Sequence, residues 1–249
     1  MSRPVIELSN FSVFYREKGS GLLNRGSRHE VVRNLTFELR EGEILGLVGE
    51  SGCGKSTLAR AILGLEPDYV GRVIHHTDRP QMVFQDPYGS LNPRMTVGRI
   101  VEEPLIISSG YDRLERRRRT EGMLQLVGLD ERYLSRYPRE LSGGQRQRVS
   151  IAAALIGKPQ VLVADEPVSS LDATIQTQIL DLLWALHRGL NLSILFISHD
   201  LAVVEHLCDR VLIMYEGEII ESGTSEAIFK NPQHTYTRQL IQASRGMTI

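Results

Sequence analysis

The sequence predicts an α/β protein built on a mixed, mainly parallel β-sheet. Three apolar runs lack the alternation of half-exposed strands and are typical of strands covered on both faces: Glu43–Val48, Val161–Ala164 and Ser193–Ile197. Between the second and third runs, apolar residues from Ile175 to Leu186 recur at helical spacing. The order strand, helix, strand indicates a βαβ unit, and therefore a parallel sheet in the second half of the chain.

An antiparallel β-subdomain is expected at the N-terminus. Val5–Leu8 and Leu35–Leu39 alternate apolar with polar residues, and the Gly/Ser/Arg-rich stretch Gly19–Arg28 between them predicts a loop. A glycine-rich turn after Val48 leads into a predicted helix over Ser56–Leu63. The first part of the chain is thus a small β-unit followed by strand, loop and helix.

Two further features complete the predicted architecture. Val211–Met214 and Glu218–Glu221 flank Glu216-Gly217, a pair that favours a hairpin turn. Val97–Arg139 carries helical periodicity and predicts a helical insertion. We therefore expect one domain over residues 1–249, with a catalytic core at about 1–90 and 157–249 and a helical subdomain at about 91–156.

Composition excludes several classes of protein. With 249 residues, 41% of them apolar, the chain can fill a core, and 29 Lys and Arg against 30 Asp and Glu create no basic field for nucleic acid. Cys53 and Cys208 are too few for a disulfide framework, which suits a reducing cytoplasm. The apolar stretches are too short to span a bilayer and Met1–Ser9 lacks a signal-peptide core, so we expect a soluble protein that reaches any membrane by docking.

A phosphate-binding loop is predicted at Gly49–Ser56, which matches the pattern G-x-x-x-x-G-K-S/T in full between a predicted strand and a predicted helix. Its glycines let backbone N–H groups point at phosphate oxygens, and the helix adds the positive end of its dipole. We expect Lys55 to hold the β- and γ-phosphates of ATP and Ser56 to bind Mg²⁺, against the alternative of a chance glycine-rich turn. The residues predicted to contact the nucleotide here are Gly49, Glu50, Ser51, Gly52, Cys53, Gly54, Lys55, Ser56 and Thr57.

Two carboxylates follow the predicted strand Val161–Ala164, at the sheet edge where open α/β proteins bind ligands. Asp165 is expected to hold Mg²⁺ through its water shell. Glu166 is expected to act as a general base or orienting group for the water that attacks the γ-phosphate. A solvated acidic turn is the alternative.

Two more polar residues are candidates for the same site. His199 follows the strand Ser193–Ile197 and is expected along the same sheet edge, where it could sense or polarise the γ-phosphate; a structural histidine is the alternative. Gln85, in Phe84–Pro87, has an amide that could donate or accept toward Mg²⁺ or the attacking water. We therefore group Gln85, Glu166 and His199 as candidate catalytic residues.

A second loop, Leu141–Gln145, precedes a helix-like stretch. It predicts a second anion site, because a serine hydroxyl and glycine N–H groups converge at a helix N-terminus, although an ordinary serine N-cap would look the same. One loop already wraps the phosphates of a nucleotide, so a second makes sense if it closes on the γ-phosphate from another molecule. The predicted contacts are Ser142, Gly143, Gly144 and Gln145.

Taken together, these residues resemble the nucleotide-binding subunit of an ABC transporter. The motifs that occur in the order typical of that family are the phosphate loop, Gln85, Leu141–Gln145, Asp165-Glu166, Ser169–Asp172 and His199. The resemblance implies a P-loop NTPase core, a helical subdomain carrying the signature loop Leu141–Gln145, and two subunits that sandwich two ATP molecules. It places Asp172 at the shared interface and makes Tyr15 the adenine-stacking aromatic, with Phe14 or a plain core aromatic as alternatives.

Two segments are similar to the oligopeptide, dipeptide and nickel importer group of the family: Phe84–Pro93 and Asn231–Thr237. This resemblance implies an ATPase that powers import from the cytoplasmic face of the cell membrane. The implied partners are a homologous second ATPase subunit in a homodimer or heterodimer, two membrane-spanning permease subunits and, indirectly, an extracytoplasmic solute-binding protein. No nucleic-acid partner is implied. The charged loop before Val31 suits one of two nonidentical ATPases.

The sequence departs from that group's pattern at three places. Gly71–Pro80 is shorter than the usual connection, so a trimmed β-subdomain is expected. Ala153 stands where an arginine is common, which changes local salt bridging and no phosphate contact. The chain ends soon after Leu240, so the Cys-rich tail chemistry of some members is not expected.

The rival function class is a non-transport ABC ATPase that acts on nucleic acid or ribosomes. Such proteins generally need a long coiled coil or two tandem ATPase cores, whereas this chain has one set of motifs and no sustained heptads. The run Arg116–Arg119 is the best support for the rival, although arginines on a surface helix more often meet solvent or neighbouring acids. A P-loop kinase, the third class, would leave Leu141–Gln145 without a role.

Overall fold

A computed structural model describes residues 2–16, 28–78, 80–108 and 110–246. The chain divides into two units, the first made of residues 1–78 and 193–249 and the second of residues 79–192. The sequence predicts a different division, into a catalytic core at about 1–90 and 157–249 and a helical subdomain at about 91–156. That division stays a prediction. Most of the predicted loop Gly19–Arg28 lies outside the described residues.

The first unit opens with an antiparallel sheet. Its N-terminal elements are β1 (Pro4–Arg16), β2 (Arg28–Arg40), β3 (Ile44–Val48), α1 (Lys55–Ile62) and β4 (Tyr69–His75). β1 pairs antiparallel with both β2 and β4, which gives a sheet ordered β2-β1-β4. Alternate residues of β1 such as Phe11 and Val13 are fully buried, as the alternating pattern requires. The predicted N-terminal antiparallel β-subdomain is therefore confirmed.

The second unit carries most of the helices. Its elements are β5 (Gln81–Val83), α2 (Pro87–Ser90), α3 (Val97–Ile107), α4 (Arg113–Leu126), 3₁₀ turns at Glu131–Tyr133 and Pro138–Glu140, α5 (Gly143–Leu155), β6 (Val161–Asp165) and α6 (Ala173–Leu190). β5 and β6 pair in parallel. Thr96 caps α3 and Asp112 caps α4, because the side chain of each accepts a hydrogen bond from an N–H group in the first turn of its helix. These caps explain why the two helices of the predicted insertion start where they do.

The chain then returns to the first unit. The remaining elements are β7 (Ser193–Ile197), α7 (Leu201–Leu207), β8 (Arg210–Tyr215), β9 (Glu218–Thr224), α8 (Ser225–Lys230) and α9 (Thr235–Ser244). Within this unit the strand order is β7-β3-β8-β9, with β3 parallel to β7 and β8 and antiparallel pairing between β8 and β9. The sheet is mixed and mainly parallel, as predicted.

Two local features explain this sheet. Every residue of β3 and β7 is buried, which accounts for the lack of polar alternation in their sequences. The β8–β9 hairpin turns at Glu216 (φ 47°) and Gly217 (φ 87°), and two central residues with positive φ are what a type I′ turn requires.

None of the described helices is long and apolar enough to cross a membrane.

Candidate functional site

The phosphate loop connects β3 to α1 in the first unit. Gly52 (φ 83°) and Gly54 (φ 107°) lie in the left-handed region, which glycine enters without steric cost. Gly49 is required for a different reason, because a Cβ atom there would overlap the carbonyl oxygen of Met214 at the end of β8. The loop can therefore turn tightly over the end of the sheet only with glycine at these three positions.

Lys55 places a buried ammonium group inside this loop. The Lys55 side chain is 5% exposed, and Nζ donates hydrogen bonds to the carbonyl oxygens of Gly49 (2.7 Å) and Glu50 (2.8 Å). Among the described residues no side chain caps the start of α1, which leaves its first-turn N–H groups facing the loop. A cation next to an uncapped helix N-terminus is chemically an anion-binding arrangement.

Tyr15 lies beside α1, at the end of β1. Its hydroxyl donates to the Glu66 carboxylate at 2.9 Å and lies 3.4 Å from Oγ1 of Thr57. The neighbouring Phe14 carries the Arg28 guanidinium 3.6 Å from its ring centroid. Tyr15 is 37% exposed, so part of its surface is accessible to a ligand. Its adenine-stacking role stays a prediction.

His199 lies at the same sheet edge as the phosphate loop. It follows β7, whose last residue Ile197 pairs with Leu47 of β3, so the two strands end side by side. The turn is held by Ser198, whose hydroxyl accepts the N–H of Asp200 at 3.0 Å. His199 itself is exposed, and its γ-phosphate role stays a prediction.

The second unit brings Gln85 and Glu166 together. Val83 pairs with Ala164 in the β5–β6 ladder, and Gln85 and Glu166 each lie two residues further on. Nε2 of Gln85 donates a 3.1 Å hydrogen bond to Oε2 of Glu166. Asp165 ends β6 and is 4% exposed. The predicted magnesium ligand and the predicted base thus follow each other at the end of one buried strand.

The turn after Glu166 is cross-linked by side chains. The hydroxyl of Ser169 donates to the Glu166 carbonyl at 3.2 Å, and Nε2 of Gln176 donates to the carbonyls of Val168 (3.1 Å) and Leu171 (3.0 Å). No sequence pattern marks Gln176 for this role, so sequence reasoning missed it. Gln176 therefore helps to fix the path of the chain from Glu166 to α6.

Asp172 and Ser142 are both helix N-caps in this chain. Asp172 accepts the N–H of Ile175 at 3.0 Å. Ser142 accepts the N–H of Gln145 at 3.3 Å, while the Gln145 side chain accepts the N–H of Ser142 at 3.0 Å. This reciprocal pair is a capping box, which the S-x-x-Q spacing would have revealed. In the isolated chain Ser142 therefore acts as the ordinary N-cap that the sequence left open as an alternative. The anion-binding role of Ser142 and the interface role of Asp172 stay predictions.

Two neighbours restrain the signature loop further. Nε2 of Gln145 donates to the hydroxyl of Tyr133 at 3.0 Å, a contact that sequence reasoning missed. A Cβ atom at Gly144 would overlap Cγ2 of Ile175 in the first turn of α6, and one at Gly143 would lie 3.0 Å from Cδ2 of Leu171. The glycines therefore allow the signature loop to pack closely against the segment that contains Asp172.

The arginines of the run on α4 pair with neighbouring acids. Arg116 pairs with Glu102 at 2.8 Å, and Arg117 pairs with Glu121 at 2.8 Å. Arg118 and Arg119 both pair with Glu115, at 2.9 and 2.8 Å. The four guanidinium groups therefore share three carboxylate partners, and the side chains of Arg117 (72%) and Arg118 (75%) are largely exposed.

Comparison with known proteins identifies the family. A family model described as "ABC transporter" matches residues 32–169, which is more than half of the chain. This chain belongs to the ABC transporter family. ATP hydrolysis is the general function of proteins with this ABC transporter domain.

Relatives within the ABC transporter family match almost the whole chain. The dipeptide transport ATP-binding protein DppF of Haemophilus influenzae is 43% identical over 256 residues, covering 97% of this chain and 78% of that protein. The oligopeptide transport ATP-binding protein OppF of Escherichia coli is 49% identical over 230 residues, covering 86% and 69%. The glutathione import ATP-binding protein GsiA of Pectobacterium atrosepticum is 46% identical over 258 residues, but this chain spans only 41% of its length.

Solved ABC transporter structures confirm the fold. A dimeric structure of a bacterial ABC transporter cassette superposes with a TM-score of 0.77 at 29% identity, covering 88% of this chain and 98% of that one. A dimeric post-hydrolysis state of the same cassette, bound to ADP and Pi, gives a TM-score of 0.76. The prediction of a P-loop NTPase core with antiparallel and helical additions is therefore confirmed.

Proposed function

We propose that this chain is the ATP-binding and ATP-hydrolysing subunit that powers an importer of oligopeptides, dipeptides or related solutes. The observation that carries the ATP-binding part is the buried Lys55 ammonium inside a glycine loop at an uncapped helix N-terminus. The solute class is supported by the relatives, which are named for dipeptide, oligopeptide and glutathione import. Glutathione is itself a small peptide, so peptides are favoured over the nickel complexes that the sequence left open.

Phosphate binding is assigned to the loop Gly49–Thr57. The loop donates backbone N–H groups to the phosphates, and Lys55 exchanges its two carbonyl partners for β- and γ-phosphate oxygens. Tyr15, at the end of β1, presents its exposed surface to the adenine.

Mg²⁺ suits the oxygen donors that this chain offers: the Ser56 hydroxyl, the Gln85 amide and the Asp165 carboxylate. Among the described residues no group of three or more His, Cys, Asp or Glu side chains is placed to hold a metal. Mg²⁺ usually has few protein ligands and completes its coordination shell with phosphate oxygens and water. When bound, the ion neutralises charge on the phosphates.

Hydrolysis is assigned to Glu166, which accepts a proton from the attacking water or orients it. Gln85 orients the Glu166 carboxylate through their hydrogen bond. His199 follows the strand beside β3 and donates toward the γ-phosphate.

A second ATPase subunit completes the site in this proposal. Ser142–Gln145 and Asp172 face the nucleotide bound by that subunit, so that two chains enclose two ATP molecules. The dimeric state of the solved cassettes supports this arrangement. ATP then favours the closed dimer and hydrolysis favours the open one, which biases a two-state assembly.

Transport requires membrane partners. We place the chain at the cytoplasmic face of the membrane, bound to two permease subunits that receive the movement of Gln85–Pro104. An extracytoplasmic solute-binding protein delivers the solute to those permeases. The rival role on nucleic acid has no support from Arg116–Arg119, because each of these arginines is paired with an acid.

Isolation of the intact chain from native membranes tests this proposal. The expected result is co-purification with two polytopic membrane proteins and ATP hydrolysis that increases when a peptide-loaded binding protein is added. Recovery away from membranes together with salt-sensitive binding to DNA or RNA would contradict it. Reconstitution in vesicles, with labelled dipeptides and oligopeptides as probes, identifies the solute class.

A further inference from the structure

The segment Asn231–Thr237 has no part in the proposed mechanism, yet it contacts the phosphate loop. The hydroxyl oxygen of Tyr236, the second residue of α9, accepts a hydrogen bond from the backbone N–H of Glu50 at 3.3 Å. Glu50 is the second residue of the phosphate loop, 186 positions away in sequence. A side chain from the C-terminal part of the chain therefore holds the backbone of the loop.

The ring of Tyr236 is itself held in place. It packs against the ring of Tyr215, with centroids 4.3 Å apart and planes at 45°. Tyr215 ends β8, the strand that pairs in parallel with β3, and β3 leads directly into the phosphate loop. Tyr236 is therefore braced against the same sheet that carries the loop.

The turn that presents Tyr236 is also restrained. Nδ1 of His234 accepts the N–H of Tyr236 at 3.2 Å and so caps α9. The carboxylate of Glu221, on β9, accepts the N–H groups of Gln233 (2.7 Å) and His234 (3.1 Å). Burial raises the pKa of Glu221, but hydrogen bonds including these two outweigh burial and hold the pKa below its usual value. Glu221 is thus a charged anchor for this turn.

Glu50 is held from its other side by Lys55 of the phosphate loop. Nζ of Lys55 donates to the carbonyl oxygen of Glu50 at 2.8 Å and to that of Gly49 at 2.7 Å. Under the proposed function, Lys55 turns from these carbonyls toward phosphate oxygens when ATP binds. Tyr236 holds the N–H of Glu50 and Lys55 holds its carbonyl oxygen, so a change of partner by Lys55 need not break the hydrogen bond to Tyr236. In this inference the N–H of Glu50 stays with Tyr236 and the other N–H groups of the loop serve the phosphates.

We propose that Tyr236 is a positioning residue that keeps the Gly49-Glu50 segment in its nucleotide-accepting conformation while Lys55 changes partners. The inference rests on the proposed function, since it needs a loop that binds ATP. Its effect should appear in affinity, because a loop already held in the bound conformation loses less freedom on binding. It should not appear in the chemical step, since the Tyr236 hydroxyl acts on the backbone of Glu50, to which no part of the hydrolysis step is assigned.

Tyr236→Phe tests the inference, because it keeps the ring against Tyr215 and removes only the hydroxyl. With the Mg²⁺ complex of a non-hydrolysable ATP analogue as the titration probe, we expect Kd to rise about three- to tenfold, the effect of one hydrogen bond. kcat at saturating ATP should stay at the wild-type value, as measured on the full chain in its permease complex. Tyr69→Phe is the matched control, since the Tyr69 hydroxyl makes no hydrogen bond to any described residue, and it should leave Kd unchanged.

Glu221→Gln provides an independent second variant. It weakens the anchor of the turn at Gln233 and His234 but changes neither Tyr236 nor the phosphate loop. It should therefore also raise Kd, by a smaller factor than Tyr236→Phe. A Tyr236→Phe protein with wild-type Kd would overturn the inference, as would a fall in kcat at unchanged Kd. A lower unfolding temperature of the nucleotide-free variant with unchanged Kd would make Tyr236 purely structural and would also overturn it. If the wild-type protein itself fails to bind the analogue, the proposed function fails instead.

Discussion

Nε2 of Gln85 donates a hydrogen bond of 3.1 Å to Oε2 of Glu166. The two residues come from separate strands, and their contact follows from the parallel register that pairs Val83 with Ala164. Glu166 also has φ 45°, a left-handed conformation that is unusual for a residue with a side chain. Such backbone strain concentrates at functional sites, so an oriented carboxylate at this position supports a catalytic role.

Glu166→Gln tests the proposed base. Glutamine keeps the size of the side chain but cannot accept a proton, so ATP hydrolysis should fall by about 10²–10⁴-fold while ATP affinity stays close to that of the wild type. Because hydrolysis reopens the proposed dimer, ATP-bound dimers should accumulate, as measured by size-exclusion chromatography with ATP and Mg²⁺. Glu121→Gln, on the surface of α4, is the matched control. Wild-type turnover in Glu166→Gln would remove Glu166 from the chemistry.

Gln85→Ala tests whether the amide orients Glu166. Loss of one hydrogen bond to a charged group is worth about 1.5–3 kcal/mol, which corresponds to a decrease in kcat of about 10- to 100-fold if the bond acts in the transition state. Affinity for the ATP analogue measured without Mg²⁺ should change little, because Gln85 does not belong to the phosphate loop. Affinity for the Mg²⁺ complex should fall, because the Gln85 amide is also a proposed Mg²⁺ ligand. An unchanged kcat would show that the Gln85–Glu166 bond has no catalytic effect, and Gln81→Ala in β5 provides the comparison.

Gly144→Ala tests the close packing of the signature loop. The added methyl group would overlap Cγ2 of Ile175, and because that side chain is β-branched and stiff, the free energy of unfolding should fall by about 1–3 kcal/mol. Gly122→Ala in α4 is the control, since no described atom lies within 4 Å of its added Cβ. That substitution should raise the free energy of unfolding by about 0.5–1 kcal/mol. Urea denaturation measures both, and equal effects of the two substitutions would contradict the packing argument.

Thiol alkylation separates the two cysteines. Burial raises the pKa of Cys53, and the Lys55 ammonium only partly offsets this, so its thiolate fraction at neutral pH lies below that of an ordinary cysteine. The rate of iodoacetamide reaction at Cys53 should therefore be slow near pH 7 and should still rise about tenfold per unit as pH approaches the raised pKa. Burial raises the pKa of Cys208 far more, and it should react only after unfolding.

Mass spectrometry of the alkylated protein checks this prediction, with Cys208→Ser as the control that isolates Cys53. The ATP analogue should slow the reaction further if the loop closes on phosphate. Fast labelling of Cys53 at neutral pH would show that its thiol is more exposed or more ionised than the structure indicates.

Much of the candidate site could be predicted because its residues follow strand ends. The phosphate loop and Asp165-Glu166 come directly after largely apolar runs, and His199 comes two residues after another. The carboxyl ends of such strands are where parallel sheets bind ligands. The contacts that restrain these residues could not be predicted. Gln176 and Tyr133 act through side-chain hydrogen bonds whose partners are set by packing, and no spacing in the sequence encodes them.

The sequence by itself determined the fold class, the family and the identity of the candidate residues, because strand burial, helix periodicity and the glycine pattern are local properties. Only the tertiary structure decided which distant residues touch. The hydrogen bond from Glu50 to Tyr236 depends on β8 lying beside β3 and on the packing of the Tyr236 ring against Tyr215, and both are products of long-range packing. Of the arginine pairs on α4, only that of Arg116 with Glu102 of α3 has this cause. Arg117, Arg118 and Arg119 pair with acids three or four positions away in the same helix, a spacing that the sequence already shows.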